Sequence, residues 1–238
     1  MVAPASISLV AGEVHVWRIG LEQTDDQLER FRRTLATEEL DRAGRFRFDR
    51  LQKHFLASRG FLRHVLARYL ETKPGDLRFA YNDYGKPSLA GEQSLRFNMS
   101  HSHEVALLAV TRDAAVGVDV EHVRANFASE DIAKRFFSRL EVETFCSLPE
   151  EEKVRAFFRC WARKEAYIKA IGKGLSEPLD GFDVTLAPDE PAALLRAGED
   201  DRLKWSLSDI DVGADYASAL VVEGVPLGIS CWQFVGQD

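Results

Sequence analysis

One order of elements, met twice along the chain, constrains the fold more than any other feature. Residues 14–19 alternate apolar and polar positions and read as a strand. Thr24-Asp25-Asp26-Gln27 has the form of a capping box, and Thr37-Glu38-Glu39-Leu40 marks a second helix start. From Asp49 onward, Phe55, Leu56, Phe61, Leu62, Val65, Leu66, Tyr69 and Leu70 recur at helical spacing. That spacing predicts a long amphipathic helix with a basic outer face. Pro74-Gly75 breaks it. There follow a short strand over 77–81, a turn-rich loop over 82–87 that holds Lys86 out to solvent, and a strand over 95–100. Residues 105–111 and 115–120 are apolar, β-branched runs joined by Arg112-Asp113, and read as a hairpin. The second half repeats the order, with helices over 128–171 and strands over 182–186, 204–210, 216–222 and 229–234. Residues 187–201, rich in proline, acid and alanine, read as a surface insertion. The halves share element order without sequence identity. The expected class is α+β.

The balance of charge narrows the function. There are 31 basic and 38 acidic residues, a net charge of −7, which argues against a general nucleic-acid binder. The charge is uneven, however. Residues 30–68 are rich in arginine, among them Arg42, Arg45, Arg50, Arg59 and Arg63, while 177–215 is acidic. A local basic surface on an acidic chain suits an anionic ligand or partner, although a solvated helix face reads the same way. No apolar run reaches the length of a membrane span, and no basic leader precedes the short apolar run near the start. Cys146, Cys160 and Cys231 are far apart and form no CxxC unit, which favours a reducing cytoplasm.

Three stretches carry the chemistry. Residues 160–171 read as a helix stopped by Gly172 and Gly174. Trp161, Glu165 and Lys169 fall four apart, so they share one face. A Glu–Lys pair at that spacing also serves as an ordinary surface ion pair. In Gly117-Val118-Asp119-Val120-Glu121, a strand places Asp119 and Glu121 on one side and the valines on the other. Two such carboxylates repel unless a cation lies between them; with Glu165 they make a Mg²⁺ site completed by phosphate oxygens plausible. The competing reading is a charged strand edge. In Asn98-Met99-Ser100-His101-Ser102, Ser100 and His101 can donate hydrogen bonds to a phosphate. His101 and His103 could instead begin a zinc site, but no third nitrogen or sulfur ligand lies near them in sequence. There is no Walker loop, no GxGxxG and no GxSxG elbow.

Taken together, NMSHS, GVDVE and WARKEAYIKAIGKGL resemble the 4′-phosphopantetheinyl transferase family, in its larger surfactin-synthetase-activating form. The Tyr84-Gly85-Lys86-Pro87 turn and the arginine-rich stretch before it add to the likeness, which runs from about Arg42 to residue 175. The resemblance implies two similar α+β halves, residues 1–112 and 113–238, related by a pseudo-two-fold axis, with coenzyme A in the cleft between them. It implies transfer of the phosphopantetheine arm to a serine of an apo acyl or peptidyl carrier protein by a monomer, releasing adenosine 3′,5′-bisphosphate. Carried onto this chain, Asp119, Glu121 and Glu165 would hold Mg²⁺. Glu165 would also be the base, with a metal-bound water as its rival. Lys169 and Lys164 would approach the coenzyme phosphates, as would Ser100 and His101. Lys86 would lie near the adenine, and Arg42 or Arg59 would hold the 3′-phosphate. Val120 stands where other members carry a polar residue. Two other readings are a phosphotransferase using another nucleotide, disfavoured without a Walker loop, and a carrier-binding scaffold without catalysis, disfavoured by the intact carboxylates and Lys169.

Overall fold

The computed structural model describes residues 4, 7–92, 94–198 and 204–236. The N-terminal half contains β1 (Glu13–Gly20), α1 (Asp25–Arg32), α2 (Thr37–Gly44), α3 (Asp49–Leu70), β2 (Phe79–Tyr81), β3 (Pro87–Leu89), β4 (Leu95–Ser102) and β5 (Val105–Arg112). The C-terminal half contains β6 (Val116–His122), α4 (Glu130–Phe136), α5 (Arg139–Ser147), α6 (Glu150–Ile171), β7 (Asp183–Val184), β8 (Leu194–Arg196), β9 (Trp205–Asp209), β10 (Tyr216–Glu223) and β11 (Gly228–Gln233). The class is α+β, as expected.

The repeated order is a repeated topology. One sheet runs β11-β1-β5-β4 and the other β6-β10-β9. In each, the strand before the long helix pairs with a later strand, and that strand pairs with the one preceding it: β1-β5-β4 matches β6-β10-β9. The helices α3 and α6 are 22 residues each. Each sheet buries both faces, which is why β5 reads as a nearly unbroken apolar run. Trp17, Ile19 and Leu108 pack with Phe61, Leu62 and Val65 of α3. Val14, Val16 and Leu107 pack with Val118, Val120 and Leu220, joining sheet to sheet. Ala219 and Val221 pack with Phe157, Phe158 and Ile168 of α6. The result is four layers: helix, sheet, sheet, helix.

Two expectations change and a third, the helices over 128–171, is resolved into its parts. The apolar runs at 105–111 and 115–120 are not a hairpin, because β5 is central and both its edges are taken by β1 and β4. The hairpin is β4–β5, and β6 crosses to the second sheet to pair with β10. The helical region 128–171 divides into three helices, since Phe137 and Leu148 leave the helix in extended conformation. The last strand, β11, returns to the first sheet and lies parallel to β1. The insertion carries β8, which pairs with β7; its residues 199–201 lie outside the described residues.

Candidate active site

Helix α6 and strand β6 meet backbone to backbone. A Cβ on Gly117 would fall 2.0 Å from the Ala166 carbonyl oxygen and 2.4 Å from the Ala170 nitrogen. Only glycine lets the helix lie this close, and the contact brings the next residues on that face of β6, Asp119 and Glu121, under the helix. Trp161, Glu165 and Lys169 form the least buried line of α6 in this region. Trp161 is fixed by aromatic neighbours, with Phe136 edge-on at 5.5 Å and Phe157 stacked at 5.9 Å between centroids. Lys169 Nζ donates to Asp119 Oδ1 at 2.6 Å and Ser100 Oγ at 2.9 Å, and Ser100 Oγ donates to the same Asp119 oxygen at 2.8 Å. Three of the sequence-derived candidates, from three elements, therefore touch.

Strand β4 reaches β6 through side chains, because the two belong to different sheets. Asn98 Oδ1 accepts from the Val118 amide at 2.9 Å. Ser102 Oγ donates to Glu121 Oε2 at 3.1 Å and accepts from the His122 amide at 3.0 Å. Asn98, Ser100 and Ser102 share one side of β4. Ser102 is thus a functional contact that the sequence reading passed over, although the period of two was there to find it.

The carboxylates strain against one another. Burial, and then the Asp119 charge, push the Glu121 carboxyl up to about 7. The same two causes raise Glu165. Asp119 is 2% exposed, and its Oδ2 is buried without a hydrogen-bond partner among the described residues. An unpartnered buried carboxylate oxygen is costly, and a cation beside it would relieve that cost. Hard oxygen donors with room for waters suit Mg²⁺. Among the described residues no three His, Cys, Asp or Glu side chains are grouped so that they could hold a metal ion, so Asp119, Glu121 and Glu165 do not stand as a formed three-carboxylate site.

Around this point the other candidates separate. Arg42, Arg59 and His101 line one cleft of about 620 Å³, together with Arg50 from the same basic stretch and with His54 and Met99, which the sequence reading did not single out. Arg42 lies over the Phe55 ring at 5.4 Å. Arg59 pairs with Glu39 at 2.5 Å, sharing that carboxylate with Arg63 at 2.7 Å.

Lys164 is a correction. It is fully buried, pairs with Glu141 at 2.7 Å, and donates to the carbonyls of Leu179 and Phe182 at 2.6 and 2.7 Å. Next to Glu165 in sequence, it is turned about 100° around the helix into the C-terminal core, away from the phosphate side. Lys86 is a second correction. It is not held out to solvent: its Nζ lies against the end of α6, donating to the carbonyls of Val116, Lys169 and Ala170. Burial, and then the charge of Arg96, lower its ammonium to about 8.

In an α+β fold, carboxylates, a lysine and a serine meet where α6, β6 and β4 come together, a polar site of the kind that suits a phosphate-bearing ligand. Residues 21–113 match the family described as 4′-phosphopantetheinyl transferase, N-terminal, and residues 115–221 match the 4′-phosphopantetheinyl transferase superfamily. The 4′-phosphopantetheinyl transferase HetI of Nostoc sp. is 40% identical over 97% of this chain and 96% of its own length. The 4′-phosphopantetheinyl transferase Sfp of Bacillus subtilis is 32% identical over 70% of this chain and 73% of its own. Among solved structures, a holo-(acyl-carrier-protein) synthase from Bacillus anthracis in complex with CoA covers 46% of this chain and 96% of that one, at 22% identity and TM-score 0.40. The chain belongs to the 4′-phosphopantetheinyl transferase family, in its larger, Sfp-type form.

Proposed function

We propose that this site moves the 4′-phosphopantetheine arm of coenzyme A onto a serine hydroxyl of an apo acyl or peptidyl carrier protein. The observation that carries the reading is the knot of Lys169, Asp119 and Ser100, with Asp119 Oδ2 left unpaired beside it. Lys169 and Ser100 hold the pyrophosphate. Arg42 and His101, on the wall of the larger cleft, hold the 3′-phosphate, and Arg59 joins them only by giving up part of its pairing with Glu39. Asp119, Glu121 and Glu165 are the residues that would hold Mg²⁺, which supplies positive charge where the transferring phosphoryl group gains negative charge.

The carrier serine Oγ forms a bond to the phosphorus that bears the pantetheine arm. The bond from that phosphorus to the bridging oxygen breaks, and adenosine 3′,5′-bisphosphate leaves with the electron pair. Glu165 takes the serine proton. Burial, and then the Asp119 charge, raise its carboxyl, with Lys169 opposing them. A sheet-to-sheet core supplied within one chain supports a monomer as the working form. The enzyme works in the cytoplasm, where its free cysteines stay reduced.

The test is to incubate the protein with an apo carrier, coenzyme A and Mg²⁺ and to weigh the carrier. Wild type adds the mass of the phosphopantetheine arm; Glu165→Gln folds normally and adds none. Absence of mass gain on every acyl and peptidyl carrier tried sinks the reading, and near-normal turnover by Glu165→Gln removes Glu165 as the base.

A further inference from the structure

A helix ends with carbonyls that have no partner within it. In α6, the Gly172 amide returns to Ile168 O at 3.0 Å, in a left-handed cap with φ of 72°. The carbonyls beyond it are answered from the other half of the molecule. Lys86 Nζ donates to Lys169 O at 2.6 Å, Ala170 O at 3.0 Å and Val116 O at 3.2 Å, while Asn82 Nδ2 donates to Gly172 O at 2.9 Å. An ammonium has three N–H donors, and here three carbonyls take them. A cation at this end of a helix also opposes the negative end of the helix dipole. The turn between β2 and β3 is built for the task. Asn82 Oδ1 accepts from the amides of Tyr84 and Lys86 at 3.0 and 2.8 Å, so the residue that orders the loop also caps the helix. A Cβ on Gly172 would sit 3.3 Å from Lys86 Cδ, so glycine leaves the lysine its path.

The capped carbonyl belongs to Lys169 itself, and Val116 opens the strand that carries Asp119. One ammonium thus ties the start of β6 to the end of α6, beside the point where Asp119 and Lys169 meet at 2.6 Å. We propose that the β2–β3 turn is a C-terminal cap supplied to α6 by the opposite half, and that the Lys86 ammonium is committed to that cap and acts as a positioning group for Lys169. This rests on the assignment of Lys169 to the coenzyme phosphates made above.

Two measurements on the full chain test it. The first is hydrogen exchange of residues 166–173 in the coenzyme-free protein. Lys86→Met opens the last turn, and exchange there quickens roughly tenfold while the thermal melt stays cooperative. The second is a double-mutant cycle on single-turnover transfer, with Lys169→Ala as the partner change. Lys86→Met slows transfer in the wild-type background and adds no further loss when Lys169 is already gone. Unchanged exchange overturns the proposal. So do losses that multiply, because they mean Lys86 acts on substrate by itself. If Lys86→Met does not fold, Asn82→Ala removes the Gly172 carbonyl's partner and is judged by the same two readouts. The exchange arm needs no catalysis, so failure of the assigned reaction and failure of the cap are told apart.

Discussion

Lys164 and Lys169 stand five residues apart on one helix and serve different ends. Lys169 lies on the least buried line with Trp161 and Glu165, and its charge meets Asp119 at the interface of the halves. Lys164 follows Cys160 by one turn and shares that buried stripe. Its ammonium lies 4.3 Å from the centre of the Phe182 ring and is paired with Glu141, whose carboxyl burial raises despite the lysine. Glu141 in turn caps α5 through the Ser138 amide at 2.8 Å and accepts from the Val184 amide at 2.8 Å. Lys164 is therefore a bolt between α6, α5 and the 179–184 segment. Removing one member of a buried pair strands the other charge, so Lys164→Met is expected to lower unfolding free energy in urea by about 3 kcal/mol or more. Transfer per folded molecule stays close to wild type. A rate collapse without a stability loss would return Lys164 to the phosphates.

Where α6 lies on β6, the fit is decided by Gly117. Gly117→Ala places a methyl 2.0 Å from a helix carbonyl oxygen, and neither backbone can yield alone. The helix must lift, with an expected stability cost of about 1–3 kcal/mol. Because Lys169 lifts with it, single-turnover transfer should fall by more than the loss of folded protein explains; equal losses would mean the contact serves stability only. Much of this geometry was legible in the sequence. Periods of two and 3.6 located β1, α3, β4, α6 and β10, the i, i+4 line joined Glu165 to Lys169, and the glycine stop marked the end of α6. Pairing was not legible. The runs of β5 and β6 are adjacent, short-linked and apolar, which is the local signature of a hairpin. Only knowledge that β1 and β4 occupy both edges of β5 sends β6 elsewhere. The Lys86 contact was hidden for the same reason, since it joins residues 83 and 84 apart in sequence. Lys164 was misplaced although the helical period had already turned it inward.

The whole molecule is two helix-on-sheet halves sharing a sheet-to-sheet core, with the reacting groups at the seam. Its stability carries a pH signature seated away from the site, in the N-terminal core. His15 is 4% exposed between Trp232 and Tyr69. Tyr69 Oη accepts from Trp17 Nε1 at 2.7 Å and shares a hydrogen bond with His15 Nδ1 at 2.9 Å. Burial lowers the His15 pKa, and the nearby Glu13 only partly opposes it. Burial also lowers His64, against the Gly60 carbonyl. The sign follows from linkage. Below an unfolded value of about 6.5 the unfolded chain takes up protons that the folded chain refuses, so stability is full above that pH and is lost as pH falls through it. The loss ends below the folded values, where both states are protonated. Glu39 acts in a lower window: its burial would raise the carboxyl, but Arg59, the Ala36 amide and Arg63 outweigh this and hold it below the ordinary value. Its contribution is therefore present above about 4.5 and lost only as pH falls beneath that. From pH 8 to 5 these histidines contribute a decline in urea-unfolding stability below about 6.5, with a slope of up to about 1.4 kcal/mol per pH unit for each, set against the opposite slope of the raised Glu121, Glu165 and Glu141 carboxyls. His15→Gln should flatten that decline, and an imidazole NMR titration should place His15 below the ordinary histidine value. A His15 resonance that titrates at or above the ordinary value, or a decline unaltered in the variant, would show that this core carries no such switch.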